Sequence, residues 1–223
     1  GTLTDAALLD DKREVLLLAL ATTRQQSALV AGLAWLNLAS GEFRVCEVAI
    51  EKLAATIERI RPAEIIAAQT LDLPFVPETP LTRQPDWYFD AEAATRELCA
   101  HFQTASLSGF GADGLRPAIA AAGALLRYAQ ATQTRALPHV QALMVERDNA
   151  FLGLDTATRR NLELTETLRG QAAPTLCSLL DTCVTSMSSR TLRHALHHPL
   201  RDPAIPMARH AAKDELIDQN RLL

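Results

Sequence analysis

The sequence predicts an α/β layer followed by a run of helices. Three observations carry that expectation: short, closely spaced apolar runs early in the chain, a switch from strand to helix periodicity near residue 50, and purely helical patterning after Asp155. The chain has 223 residues, 48% hydrophobic and 22% charged. That composition is ordinary for a globular protein and excludes a disordered or collagen-like chain. The length suits one large domain or two small ones.

Val15–Thr22 is a continuous apolar run, Thr23–Ser27 is polar, and Ala28–Leu38 is apolar again before a Ser40-Gly41 turn. Glu42–Val48 alternates. Three β-rich segments with short connections read as an antiparallel meander. Periodicity alone equally allows the first two to be buried helix; their length and the turn chemistry favour strands. Ile50, Leu53, Ala54, Ile57 and Ile60 then fall on one helical face, with Glu51, Lys52, Glu58 and Arg59 opposite. Arg61-Pro62 ends that helix, because the residue before proline is pushed out of the α region. Glu64–Ala68 is a fourth strand. This order of strands and helix suggests a ribonuclease H-like layer.

Residues 71–85 carry Pro74, Pro77, Pro80 and Pro85 and read as a surface connection. Trp87-Tyr88-Phe89 reads as a short edge strand. Asp90 is an N-cap for a helix to about Phe102, with Ala91, Ala94, Leu98 and Phe102 inward and Glu92, Arg96 and Gln103 outward. Gly109, Gly111 and Gly114 interrupt the chain before an alanine-rich helix over Leu115–Ala131. A domain boundary is expected at about residue 141, giving domains 1–141 and 142–223. Beyond it, Leu143–Leu154 reads as a short ribbon. Asp155 caps a helix that Gly170 ends, with Arg159 and Glu163 as an i,i+4 pair. Short helices follow over about Thr175–Cys183, from Ser186 or Ser188 to His197 before Pro199, and over about Met207–Gln219.

Several functional classes are disfavoured. A net charge of −4 argues against a strong free-standing nucleic-acid binder. The apolar runs are far shorter than the ~20 residues that span a bilayer. Cys46, Cys99, Cys177 and Cys183 are too few and scattered for a disulfide scaffold, and no secretory signal is apparent, so a reducing cytoplasm is expected. His194, His197 and His198 share a helical turn but lack the further ligands that zinc needs, so a solvated or partner-facing helix end is expected. Gly109–Gly114 lacks the Lys-Ser/Thr of a phosphate loop and reads as a loop leading into a helix. A ribonuclease H-like nuclease needs clustered carboxylates for Mg²⁺. The first two strands carry none, leaving Glu42 and Glu47 on the third. The absent initiator Met and a last segment still helical in pattern give the expectation of a piece of a longer protein.

Several stretches together resemble one family. Gly1–Leu9, Leu38-Ala39-Ser40-Gly41-Glu42-Phe43, Arg61-Pro62-Ala63-Glu64-Ile65-Ile66 and Ala121–Ala129, followed by Thr132-Gln133 and Leu137-Pro138-His139, resemble the connector domain of the bacterial mismatch-repair family MutS. Asp155-Thr156-Ala157-Thr158-Arg159-Arg160-Asn161-Leu162-Glu163-Leu164 is the most specific stretch and is similar to the opening of that family's core, or lever, domain. Thr185–Arg190, Leu196 and Pro199-Leu200 continue it. Ser188 and Ala195 depart from the usual Gly and Trp.

The resemblance implies a ribonuclease H-like connector domain and then the first part of a mainly helical lever domain. It implies a bacterial, cytoplasmic parent that forms a dimeric clamp, binds mismatched DNA, ATP and Mg, and recruits MutL. Neither a Phe-x-Glu mismatch reader nor a G-x-x-x-x-G-K-S/T nucleotide loop occurs in these 223 residues. The chain itself is therefore expected to be a non-catalytic scaffold without a cofactor, linking mismatch recognition to the ATPase and contributing to MutL recruitment. Glu92, Arg96 and Gln103 are the candidate MutL-facing residues. Arg159, Arg160, Asn161 and Arg190 are candidates for interdomain or lever contacts. The competing readings are a ribonuclease H-like nuclease with a helical appendage and a helical adaptor unrelated to repair.

Overall fold

A computed structural model describes residues 15–25, 28–133, 137–147 and 150–218. The expected opening at Gly1–Leu9, residues 26–27 and the chain's last residues lie outside the described residues. Two compact units form, one ending at Arg147 and the other beginning at Asp148.

The first unit is built on a mixed sheet. Strands β1 (Leu16–Gln25), β2 (Ala28–Asn37) and β3 (Phe43–Ala49) form the antiparallel meander. The polar residues after Thr22 still pair, so β1 runs to Gln25 against Ala28. A 3-10 turn at Ile50–Lys52 leads into α1 (Leu53–Ile60). Leu53, Ile57 and Ile60 are buried as their spacing predicts, whereas Ala54 is exposed and Thr56 takes an inward place. Thr56 Oγ1 satisfies itself by donating to the Lys52 carbonyl at 2.9 Å. Arg61 ends the helix in the left-handed region, φ 53°. The chain returns as β4 (Glu64–Ala68), parallel to β1.

Two readings of the proline-rich stretch need correction. Leu81–Gln84 is a strand, β5, parallel to β4 at the sheet edge. Pro80 and Pro85 flank it without occupying it, which is where an edge strand tolerates proline. Trp87-Tyr88-Phe89 is a 3-10 turn (Asp86–Phe89), not an edge strand. Helix α2 (Ala91–Phe102) and helix α3 (Arg116–Gln133) follow. The expected ribbon contributes β6 (Leu143–Val145), parallel to β3. The sheet order is β5-β4-β1-β2-β3-β6, so the compact unit runs past the boundary expected at 141.

Both faces of the sheet are covered. Leu17, Ala19, Leu36, Phe43 and Ile66 pack on α2 and α3 on one side. Leu18, Leu20, Leu33, Trp35 and Ile65 pack on α1 on the other. Double coverage explains the continuous apolar runs in β1 and β2, since both side-chain rows must be apolar. Two glycines set the helix spacing. A Cβ on Gly32 of β2 would lie 2.1 Å from the Pro117 carbonyl carbon, and one on Gly123 of α3 would lie 2.3 Å from the Ala94 Cβ of α2. Tyr128 ties α3 to the sheet edge by donating to Glu64 Oε1 at 2.7 Å, where Thr82 also donates at 2.5 Å. Burial first, then the bond to Glu64 and its charge, pushes the Tyr128 pKa up to about 12.

The second unit is helical: α4 (Thr156–Asn161), α5 (Leu176–Leu180), α6 (Ser186–His197) and α7 (Ala204–Asp218). Asp155 caps α4 as expected, accepting from the Thr158 amide at 2.7 Å. That helix ends at Asn161, not at Gly170, and Glu163 turns the chain with φ 44°. Glu163 Oε1 accepts from the Leu168 amide at 2.6 Å, a local bond that competes with helix continuation. Thr175 caps α5 in a capping box with Ser178. Thr185, one residue before the expected cap, caps α6 by accepting from the Ser188 amide at 3.2 Å. Among the described residues, no helix is long and apolar enough to cross a membrane.

Candidate functional site

The α2 surface gathers the most distinctive features of the first unit. The Asp90 carboxylate accepts from the Ala93 amide at 2.7 Å and starts the helix; Gln103 closes it in the left-handed region, φ 54°. Glu92, Arg96 and Gln103 are all exposed and share its solvent face.

One flank of that face carries an aromatic platform. Trp87 is 63% exposed, while Phe89 packs against the core. Trp87 and Tyr88 meet at 4.5 Å between centroids. Arg127 of α3 braces both: its guanidinium lies 5.6 Å from the Trp87 ring and 5.4 Å from the Tyr88 ring. It is fixed in turn by a two-pronged pairing, Nε and Nη2 each donating to Glu97 of α2 at 2.7 Å, while Nη1 donates to the Tyr88 carbonyl at 3.1 Å. A fork held at this many points is pre-organised. Sequence reasoning missed the brace because its halves lie 30 residues apart. The signal was a lone Arg within the apolar run of α3, which needs a partner when packed.

The other flank of α2 is an open cleft of about 350 Å³. Thr95 and Cys99 line it from α2, with Leu107, Asp113 and Arg116 among the residues opposite.

Glu42 and Glu47 have different partners. Glu42 is engaged by Arg44, whose Nε donates at 2.5 Å. Glu47 lies 3.5 Å from the Ala118 amide in the first turn of α3. Desolvation raises its pKa, against the lowering effect of that amide and of Gln25. Among the described residues, no three His, Cys, Asp or Glu side chains gather as a metal cluster would.

The four candidate residues of the second unit do not converge. Arg159 is buried at 5% exposure and its Nη1 donates to the His197 carbonyl at 2.9 Å. It faces inward, not toward Glu163 across a solvated helix face. Arg160 and Asn161 are exposed. Arg190 is half-buried, its Nε donating to the Ser186 carbonyl at 3.4 Å. Of the three histidines expected at a solvated or partner-facing helix end, His197 is buried and His194 and His198 are half-buried. His197 is buried with Nε2 2.9 Å from Thr165 Oγ1. His194 and His198 stack at 4.0 Å, and His198 Nδ1 donates to the His194 carbonyl at 3.0 Å.

The fold is thus a mixed α/β sheet unit followed by a helical unit. The family model for MutS domain II matches residues 16–141, and the model for MutS domain III matches residues 157–223. The chain belongs to the MutS family of DNA mismatch-repair proteins.

Proposed function

We propose that this chain is a non-catalytic scaffold that joins mismatch recognition to the ATPase and presents the solvent face of α2 to MutL. The exposed, braced Trp87 at the start of α2, together with Glu92, Arg96 and Gln103 exposed along that helix, is the observation that carries this reading. Interface hot spots favour Trp, Tyr and Arg, surrounded by a polar rim. A platform already locked by Glu97 loses little further freedom on docking. On this reading residues 1–141 are the connector domain, ribonuclease H-like in its sheet order, and 142–223 open the lever domain. Arg160, Asn161 and Arg190 then contact other parts of the lever, whereas Arg159 holds the fold of its own unit. The remainder of the protein, its dimer mate and mismatched DNA are the other partners, in the bacterial cytoplasm, with ATP and Mg bound outside this chain.

The nuclease alternative has less support. Glu42 is engaged by Arg44, and Glu47 lies against the Ala118 amide at the start of α3, so each carboxylate has its own local partner.

The test is MutL capture by full-length protein carrying Arg96→Glu and Glu92→Lys. Capture should fall by ~10-fold, about 1.4 kcal/mol, with mismatch binding unchanged. Undiminished capture would move the docking surface off α2.

A further inference from the structure

We infer that residues 143–147 form a releasable strap, docked by the Glu146 carboxylate, whose release lengthens the connection leaving the sheet. This inference stands apart from MutL docking and involves other residues. It concerns the segment between the two stretches that the family models match.

The structure ties the start of that segment to β3. Leu143, Met144 and Val145 pair with Phe43, Arg44 and Val45, and the Glu146 amide donates to the Val45 carbonyl at 2.8 Å. The apolar hold is slight. Leu143 is buried, Val145 is partly buried against the core, and Met144 is 48% exposed. A three-residue strand at a sheet edge sits at the low-stability end of a fold.

Charge supplies what packing does not. The Glu146 side chain is only 6% exposed. It pairs with Arg59 of α1, itself 11% exposed, and lies 3.7 Å from Arg44 of β3. Arg44 also pairs with Glu42 at 2.5 Å. The strap is therefore held by a cluster drawn from α1 and β3, with Glu146 as its own contribution.

A buried ion pair has a particular energetic character. Its attraction is largely offset by the desolvation of its ions, so docking has a small net free energy. Undocking returns the ions to water and leaves no charge stranded. Removing one partner while the other stays buried is costly. The cluster thus makes docking strongly dependent on Glu146 and Arg59 while leaving docked and released states close in free energy, the condition for a two-state element. Release frees residues 143–147 and moves the last anchored residue back to 142, a contour of ~17 Å at ~3.3 Å per residue.

Native-state hydrogen exchange on the whole chain tests this, comparing wild type with Glu146→Gln and Arg59→Met. The amides of 143–146 are read against those of Leu33–Trp35 in β2 as an internal reference for global unfolding. Each variant should speed exchange of the Glu146 amide by tenfold or more and leave β2 unchanged. Unchanged exchange over 143–146 in both variants would overturn the strap, and so would acceleration matched by β2.

Discussion

The first unit covers both faces of a six-stranded sheet, whereas the second buries, among its described residues, only Leu164 and Cys177 as apolar side chains. Its other buried groups are polar: Arg159, Thr165, Thr175, Ser189 and His197. Helix α7 buries nothing, with Ile205, Met207, Leu216 and Ile217 all exposed. Hydrophobic burial is the dominant favourable term in folding. The sheet unit therefore draws its stability from apolar burial, while the described residues of the helical unit bury mainly hydrogen-bonded polar groups, whose net contribution is modest.

The largest effect that sharpens this contrast is Leu125→Ala. Leu125 is fully buried on the inner face of α3, and such truncations cost about 2–5 kcal/mol. Urea unfolding should show an early helical-unit transition and a later sheet-unit transition, with only the later one shifted. Gly123→Ala comes next. Its new methyl meets the Ala94 Cβ and Cα at 2.3 and 2.7 Å, so α2 and α3 must part, at a cost of about 1–3 kcal/mol. It should also weaken MutL capture by displacing α2, an effect that Leu125→Ala at matched stability should not share.

In the second unit, Arg159→Met removes the buried donor to the His197 carbonyl. A cost of about 1–3 kcal/mol is expected, confined to the early transition. A shift of both transitions would break the comparison.

The smallest effect concerns pH. Tyr128 has its pKa raised to about 12 in the folded chain from an ordinary ~10 unfolded. Its contribution is fully present below pH ~10 and is lost as pH rises through about 12. Tyr128→Phe should flatten that alkaline loss in the sheet unit's transition and leave the helical unit's pH profile unchanged.

What could be read from the sequence follows the same division. The strands β1 to β4 and helices α1 to α3 were legible because dense apolar burial imposes a period on the chain. The strand at Leu81–Gln84 was not, since four edge residues between prolines carry too little apolar signal. In the second unit, the expected helix from Asp155 to Gly170 stops at Asn161, because the backbone bond of Glu163 overrides propensity. The exposure of Glu92, Arg96 and Gln103 followed from helical spacing. The Arg127–Glu97 brace and the Glu146 cluster did not, because they join elements far apart in sequence.

On the proposed function, α2 and its aromatic flank dock MutL while the opening helices of the second unit do not. Hydrogen exchange of the full-length protein, with and without saturating MutL, tests it most directly. New protection should concentrate over residues 86–103, with exchange over 156–161 unchanged. Protection confined to the second unit, or none over 86–103 at saturation, would contradict it.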